Sequence, residues 1–239
     1  MASKARLFYT DKLKIGTISR LSEKQSHYTK NVMRLKAGDK ISLFNSHDGE
    51  WDVNILDHGK IFTEFKVEKL SRPISKEKNI WLAFSPIKKV PQDLMIQKTT
   101  ELGIQKFIPI LCDRSVVREI NIKRAEKIII EACEQSNRIT VPKILDLQKL
   151  NDFIKTFPHD GKIVFCDINS NSKDFKNKLP QKSPVCILIG PEGDFSEEER
   201  QFITNNKNVI SITLAKNILR AETAAIASTT ILNYNLENN

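Results

Sequence analysis

Residues 185–199, VCILIGPEGDFSEEE, decide the fold. A short apolar run ending at Ile189 reads as a strand buried on both faces, the habit of a parallel sheet. Gly190-Pro191-Glu192-Gly193 then makes a tight turn. Ser196, with Glu199 three residues on, forms a capping box that opens a helix.

Working outward, the same texture recurs from residue 80 onward. Apolar runs IWLAF (80–84), FIPIL (107–111), KIVFC (162–166) and VISITL (209–214) alternate with helical patterns, as βαβ units require. A helix over Gln92–Leu102 ends at Gly103, a natural residue just past a helix terminus. Asn121 can cap the next helix, where Ile122, Ala125, Ile129 and Ala132 share a face. Ala221–Leu232 reads as a final helix.

Ahead of residue 72 the pattern is different. KISLFNSHDGEWDVNILD carries two alternating runs around Asp48-Gly49, a strong hairpin signal. IFTEFKVEKL (61–70) reads as a further strand, and Leu21–Lys36 looks helical. A compact β-barrel with one helix fits residues 1–72. The polar, Pro-containing stretch Ser71–Asn79 marks the boundary with a second domain over 73–239.

The 239 residues carry a formal charge of +9 with a pI near 9.3, which favours a polyanionic partner. Residues 1–72 hold 14 Lys/Arg against 9 Asp/Glu, so the front piece is the more basic per residue. The four cysteines are widely spaced, with no CxxC pair and no clustered His. They read as reduced core residues, and no metal site is expected. The N-terminus lacks a long apolar run, and no stretch approaches the ~18 residues that span a bilayer, so a cytoplasmic protein without membrane contact is expected.

Ligands of open α/β sheets bind outside the carboxyl ends of strands, which places two loops in one pocket. The first is Leu188-Ile189-Gly190-Pro191-Glu192-Gly193. Its glycines let backbone amides approach a ligand, and Glu192 projects a carboxylate that a sulfonium charge would attract. The second is LAKNILRAETAA (214–225). Leu214, Ile218 and Leu219 could line an adenine slot, with Ala215 and Asn217 in the same loop. Arg220 is the strong donor nearby, and Glu222 and Thr223 open the helix. Read alone, each loop is equally a surface turn or a helix start. Arg6, His27, Lys30 and Arg34 make a candidate phosphate-contacting patch, and Arg114 and Arg138 are further candidates for RNA contact. Glu131, Gln135 and Arg138 would share one polar stripe on a helix.

Together these segments resemble the bacterial family that methylates N3 of a uridine in small-subunit ribosomal RNA, ribosomal RNA small subunit methyltransferase E. The resemblance runs from Arg6 through Val32-Met33-Arg34-Leu35, Gln97-Lys98, Glu101-Leu102-Gly103, Arg114-Ser115 and Glu131–Arg138 to the two loops. Gly-Pro-Glu-Gly followed by Ile218-Leu219-Arg220-Ala221-Glu222-Thr223-Ala224 is its most specific mark. The resemblance implies a SPOUT-type trefoil-knotted α/β domain behind a small PUA-like β-barrel. It also implies a homodimer, S-adenosylmethionine as cofactor in the two loops, and ribosomal RNA or the small subunit as substrate. For the transfer itself, Arg220 is the candidate catalytic residue that stabilises charge on the base, and Glu192 or a water is the candidate proton acceptor. A non-catalytic assembly factor on this fold, or an enzyme acting on transfer RNA, are the alternatives. The chain departs from the family at Asp194 and Ala215, where glycine is usual.

Overall fold

The computed structural model describes residues 5–170, 179–180 and 183–237. The chain divides into two units. One takes in residues up to 76 together with 133–141; the other takes in 77–132 and residues from 142 onward.

The first unit is a five-stranded sheet, with β1 (Arg6–Phe8), β2 (Ile18–Arg20), β3 (Lys40–Asn45), β4 (Gly49–His58) and β5 (Thr63–Arg72) in the order β1-β3-β4-β5-β2. The hairpin falls where Asp48-Gly49 announces it, with Asn45 opposite Gly49. Gly49 has φ +89°, and a β-carbon there would lie 2.6 Å from the Arg72 carbonyl oxygen, so glycine is required twice over. Ile41, Leu43, Val53, Ile55, Phe65 and Val67 close the core and are fully buried.

Two expectations for this unit need correction. The third strand begins at Thr63, not Ile61. Ile61 and Phe62 stand exposed in the preceding turn, where the Gly59 N–H donates to the Phe62 carbonyl at 3.1 Å. The helix over Leu21–Lys36 is also shorter: α1 (Glu23–His27) has a full capping box from Ser22 and Gln25, then widens into a π-helical turn over Tyr28–Val32. Arg34 lies beyond it at φ +55°.

The second unit is built on an entirely parallel sheet. Its strands are β6 (Ile80–Phe84), β7 (Lys106–Leu111), β8 (Lys143–Ile144), β9 (Gln148–Lys149), β10 (Lys162–Cys166), β11 (Val185–Ile189) and β12 (Val209–Ile212). The order is β12-β10-β11-β6-β7-β8, with β9 also pairing β7. Every residue of β11 is buried, which explains why its sequence is apolar without alternation. Pro109, with no N–H to give, falls in the gap on β7 between its pairing with β8 at Phe107 and with β9 at Ile110.

Helices α2 (Lys89–Glu101), α3 (Ile122–Gln135), α4 (Leu150–Thr156), α5 (Glu197–Thr204) and α6 (Ala221–Glu237) complete the chain. Gly103 follows α2 at φ +98°. Asn121 caps α3 by accepting the Arg124 N–H at 3.0 Å, and Ser196 and Glu199 form the expected box on α5. Helices α2 and α6 pack side by side. Their carboxyl ends are joined by the Asn233 side-chain amide, which donates to the Leu102 carbonyl at 2.5 Å. A parallel-sheet α/β unit that follows a small β unit in the sequence agrees with the two-part organisation expected from the sequence.

Cys112, Cys133 and Cys186 are buried free thiols and Cys166 is half-buried. Burial pushes the thiols of Cys112 and Cys166 up to about 12, far from the range in which a thiol reacts at neutral pH. Among the described residues no helix is long and apolar enough to cross a membrane, and no group of three or more His, Cys, Asp or Glu could hold a metal ion.

Candidate active site

The loops after β10, β11 and β12, with the start of α6, surround a cavity of about 680 Å³ at the carboxyl ends of the strands. Of the residues expected in one pocket, Ile189, Gly190, Pro191 and Glu192 line it from the first loop. Leu214, Ala215, Asn217, Ile218, Leu219 and Arg220 line it from the second. Leu188 is buried inside β11, and Gly193 and Thr223 lie beside lining residues without lining the cavity themselves.

The first loop is held from behind. The Ile189 carbonyl accepts the Ser85 N–H at 3.1 Å, tying the loop to the end of β6. Pro191 to Asp194 close a turn, with the Asp194 N–H donating to the Pro191 carbonyl at 3.0 Å. Asp194 stands at φ +60°, in the left-handed region that favours glycine. Aspartate tolerates that backbone better than most residues, and its Oδ1 accepts the next N–H, from Phe195, at 2.8 Å.

The Phe195 ring is buried beneath this turn and packs edge-on against Phe165, with centroids 5.3 Å apart. A β-carbon on Gly190 would come within 2.6 Å of that ring. Glycine at 190 therefore serves the packing of Phe195, a reason the sequence does not reveal. At Gly193 a β-carbon would meet only ordinary contacts, 3.4 Å from Arg114.

The loop after β7 braces the far side of the turn. The Ser196 hydroxyl donates to Asp113, and the Asp113 N–H donates to Glu199 Oε1 at 2.8 Å. The Arg114 guanidinium reaches the Gly193 carbonyl at 3.4 Å. Deeper, the Ser85 and Ser115 hydroxyls share a 2.7 Å hydrogen bond, and Ser115 accepts the Cys112 N–H.

Sequence reasoning missed the third wall. Cys166, Asp167 and Ile168 line the cavity from the end of β10. The buried Asp167 carboxylate is paired with Arg200 at 2.8 Å and accepts the Asn169 N–H at 2.9 Å, which fixes this loop. The KIVFC run marks the strand, but nothing in it announces that the next residues face a ligand. Lys88 and Val116 also line the cavity, from the loops after β6 and β7.

Several charged groups in the cavity are uncommitted, among them two in the loops expected to hold the ligand. The Arg220 guanidinium and the Glu192 carboxylate are exposed and bond to no described residue. The cavity thus offers apolar walls from Ile168, Leu214 and Ile218, backbone amides and carbonyls of two loops, the carboxylates of Asp167, Glu192, Asp194 and Glu222, and the cations of Lys88, Lys216 and Arg220. Those are suitable donors and acceptors for a purine, a ribose and a cationic sulfur, so the residues fit S-adenosylmethionine. Ala215 has no left-handed backbone, so the side chain there is accommodated without strain.

The expected phosphate patch divides. His27, Lys30 and Arg34 are exposed. Arg6 is not: its side chain is 7% exposed and is consumed by Glu50 and by the carbonyls of Cys133 and Arg138. Burial pushes its guanidinium below the usual 12.5. Arg138 is also a buried residue, lying past the end of α3 after Asn137 turns the chain at φ +59°. It therefore does not continue the polar stripe of Glu131 and Gln135. Both arginines belong to the interior of the first unit and are withdrawn as phosphate contacts. Arg114 remains exposed.

Comparison with known proteins gives this arrangement a family. Residues 75–233 match the family model of an RNA methyltransferase domain, and residues 21–68 match an RNA methyltransferase PUA domain. The chain is 36% identical over 211 residues to ribosomal RNA small subunit methyltransferase E of Rickettsia conorii, covering 87% of this chain and 85% of that one. To the protein of the same name from Bacillus subtilis it is 29% identical over 237 residues, covering 91% and 90%. Among solved structures, ribosomal RNA small subunit methyltransferase E of Neisseria gonorrhoeae bound to S-adenosyl methionine superposes with a TM-score of 0.88 at 26% identity, over 97% and 98% of the two chains. A parallel sheet ending in a cavity walled by Gly-Pro-Glu-Gly and by the Arg220 loop, behind a PUA-type unit, places this chain in the RNA methyltransferase family of ribosomal RNA small subunit methyltransferase E.

Proposed function

We propose that this chain transfers a methyl group from S-adenosylmethionine to N3 of a specific uridine in small-subunit ribosomal RNA. The observation that carries the reading is the convergence of the Arg220 guanidinium and the Glu192 carboxylate, both exposed and bonded to no described residue, on one cavity that also has apolar and backbone walls.

The cofactor supplies an electrophilic methyl group on a positively charged sulfur. The protein's residues do the rest. The backbone of 189–192 and 214–219 holds the donor, and the carboxylate of Glu192 offsets its positive charge. N3 lies on the Watson–Crick edge, so the uridine must be turned out of its stack to reach the cavity. Loss of the N3 proton spreads negative charge over the flanking ring oxygens, and Arg220 stabilises that charge. Glu192, an exposed carboxylate of the cavity, or a water takes the proton. Holding the two reactants in line supplies much of the remaining acceleration.

The exposed side chains of His27, Lys30, Arg34 and Arg114 are assigned to RNA contact. The working form is a homodimer in the cytoplasm, where ribosomal RNA is found. Val90 and Leu94 on α2 and Ile231 and Tyr234 on α6 leave apolar surface exposed along two packed helices, which a second copy would cover.

The test is transfer from labelled S-adenosylmethionine to unmethylated small subunits and, separately, to transfer RNA, followed by nucleoside analysis. Label in 3-methyluridine from the subunit is expected. Label in transfer RNA alone moves the substrate, and no label despite cofactor binding favours an assembly role.

A further inference from the structure

Helices α2 and α6 run in the same direction. They pack side by side, their carboxyl ends meet at Leu102 and Asn233, and their amino ends both border the same cavity. Each amino end carries one cation into it: Arg220 immediately before α6, and Lys88 at the cap of α2. The backbone at Lys88 is fixed, since the Ile87 N–H donates to the Gln92 side chain at 3.2 Å and the Lys88 carbonyl accepts the Gln92 N–H at 3.1 Å. The ammonium itself is exposed and bonds to no described residue, although Glu192, Asp194 and Glu222 line the same cavity.

Strand order says which side of the cavity Lys88 occupies. β10 and β12 lie on one side of β11, and their loops form the apolar slot with Ile168, Leu214 and Ile218. β6 and β7 lie on the other side, and their loops contribute Lys88 and Val116. A donor seated in the slot leaves the Lys88 side for the acceptor.

Resting on the uridine reading above, we infer that Lys88 is an RNA-binding residue of this cavity, whose ammonium takes a backbone phosphate beside the turned-out nucleotide while Arg220 addresses its base. A base turned out of its stack brings its own phosphates to the rim of the pocket. A compact charge on a flexible stem meets a phosphate from many angles, whereas a planar guanidinium suits the fixed edge of a base.

The cofactor also carries an anion, its carboxylate, so the experiment separates the two sources. Full-length Lys88→Ala, Lys88→Glu and Lys88→Arg are compared with wild type in three assays: calorimetric binding of S-adenosylmethionine, binding of unmethylated small-subunit RNA across a salt series, and steady-state methyl transfer. For Lys88→Ala the expected result is RNA affinity and KM weakened roughly tenfold, a salt slope reduced by about one, and cofactor binding within about twofold of wild type. Lys88→Glu should weaken RNA binding further, and Lys88→Arg should restore most of it. Weakened cofactor binding with RNA binding unchanged overturns the proposal in favour of the cofactor carboxylate. No change in either overturns it in favour of a solvated lysine. Wild-type protein that moves no label to the subunit brings down the uridine reading instead, and the RNA-binding assay, which needs no turnover, still judges Lys88.

Discussion

The hydroxyl of Ser196 donates a 2.7 Å hydrogen bond to Oδ2 of Asp113, joining the loop after β11 to the loop after β7. Asp113 returns the link through its own N–H to Glu199, the residue that caps the same helix. The Gly-Pro-Glu-Gly turn is thus clamped to a segment some eighty residues earlier. Asp113→Ala should cost about 1 kcal/mol of stability, the usual worth of one partly exposed hydrogen bond. It should weaken cofactor binding several-fold by loosening the turn. Calorimetry and thermal melting check both, and unchanged affinity would show that the clamp does not govern the loop.

The Arg220 guanidinium bonds to no described residue. Arg220→Ala should therefore leave the melting temperature nearly unchanged. Methyl transfer should drop by roughly 10² to 10³, as removal of an oxyanion-stabilising donor typically does. Cofactor affinity should stay within about twofold. Near-wild-type turnover would remove Arg220 from the chemistry.

Gly190 lies against the Phe195 ring, where an added β-carbon would come within 2.6 Å. Gly190→Ala should destabilise by about 1–3 kcal/mol through overpacking and shift the turn that lines the cavity. The companion Gly193→Ala meets only 3.4 Å contacts and should be milder. Chemical denaturation of the pair distinguishes packing from a general demand for glycine.

Asp194 occupies a left-handed backbone at φ +60°. Asp194→Gly relieves that conformation but adds freedom to the unfolded chain and loses the bond to the Phe195 N–H, so the net change should be within about 0.5 kcal/mol. Asp194→Val, stiff and branched at the β-carbon, should cost about 1–3 kcal/mol. Equal stability of the two variants would contradict the backbone assignment.

Glu50 is buried against Arg72 and Arg6. Desolvation alone would raise its carboxyl, but the hydrogen bonds from Arg72 and then Arg6 prevail and hold it below its ordinary 4.5. A carboxyl depressed in the folded state contributes stability that is fully present above pH 4.5 and is lost as pH falls through the folded value. Glu50→Gln should flatten this acid limb while costing about 3–5 kcal/mol at neutral pH, because Arg6 would stay buried without its counter-charge. An acid limb as steep as wild type's would exclude Glu50 as its source.

Much of the sheet was legible because its strands are short, apolar and separated by recognisable caps. KIVFC coincides with β10, and Ser196 and Asn121 cap the helices they announce. Both pocket loops could be placed at one sheet edge from their position after strands. What escaped depends on long-range contact. Arg6 looks like any basic residue near a terminus, and only Glu50 and the carbonyls of 133–138 show it to be interior. Residues 133–141 belong to the first unit although they continue a helix of the later unit's sequence. Lys88 precedes a helix without an ordinary capping side chain, so neither composition nor period points to it.

The tie between Asn233 and Leu102 sets when the site can exist during synthesis. The first helix of the α/β unit emerges more than a hundred residues before its partner, and two of the cavity's three principal walls lie after residue 188. Because chains fold as they leave the ribosome, amino end first, the earlier strands must wait with one flank uncovered until the final helix is released. Nascent chains stalled before residue 188 would therefore lack two of these walls, and the cavity is complete only once α6 has been released.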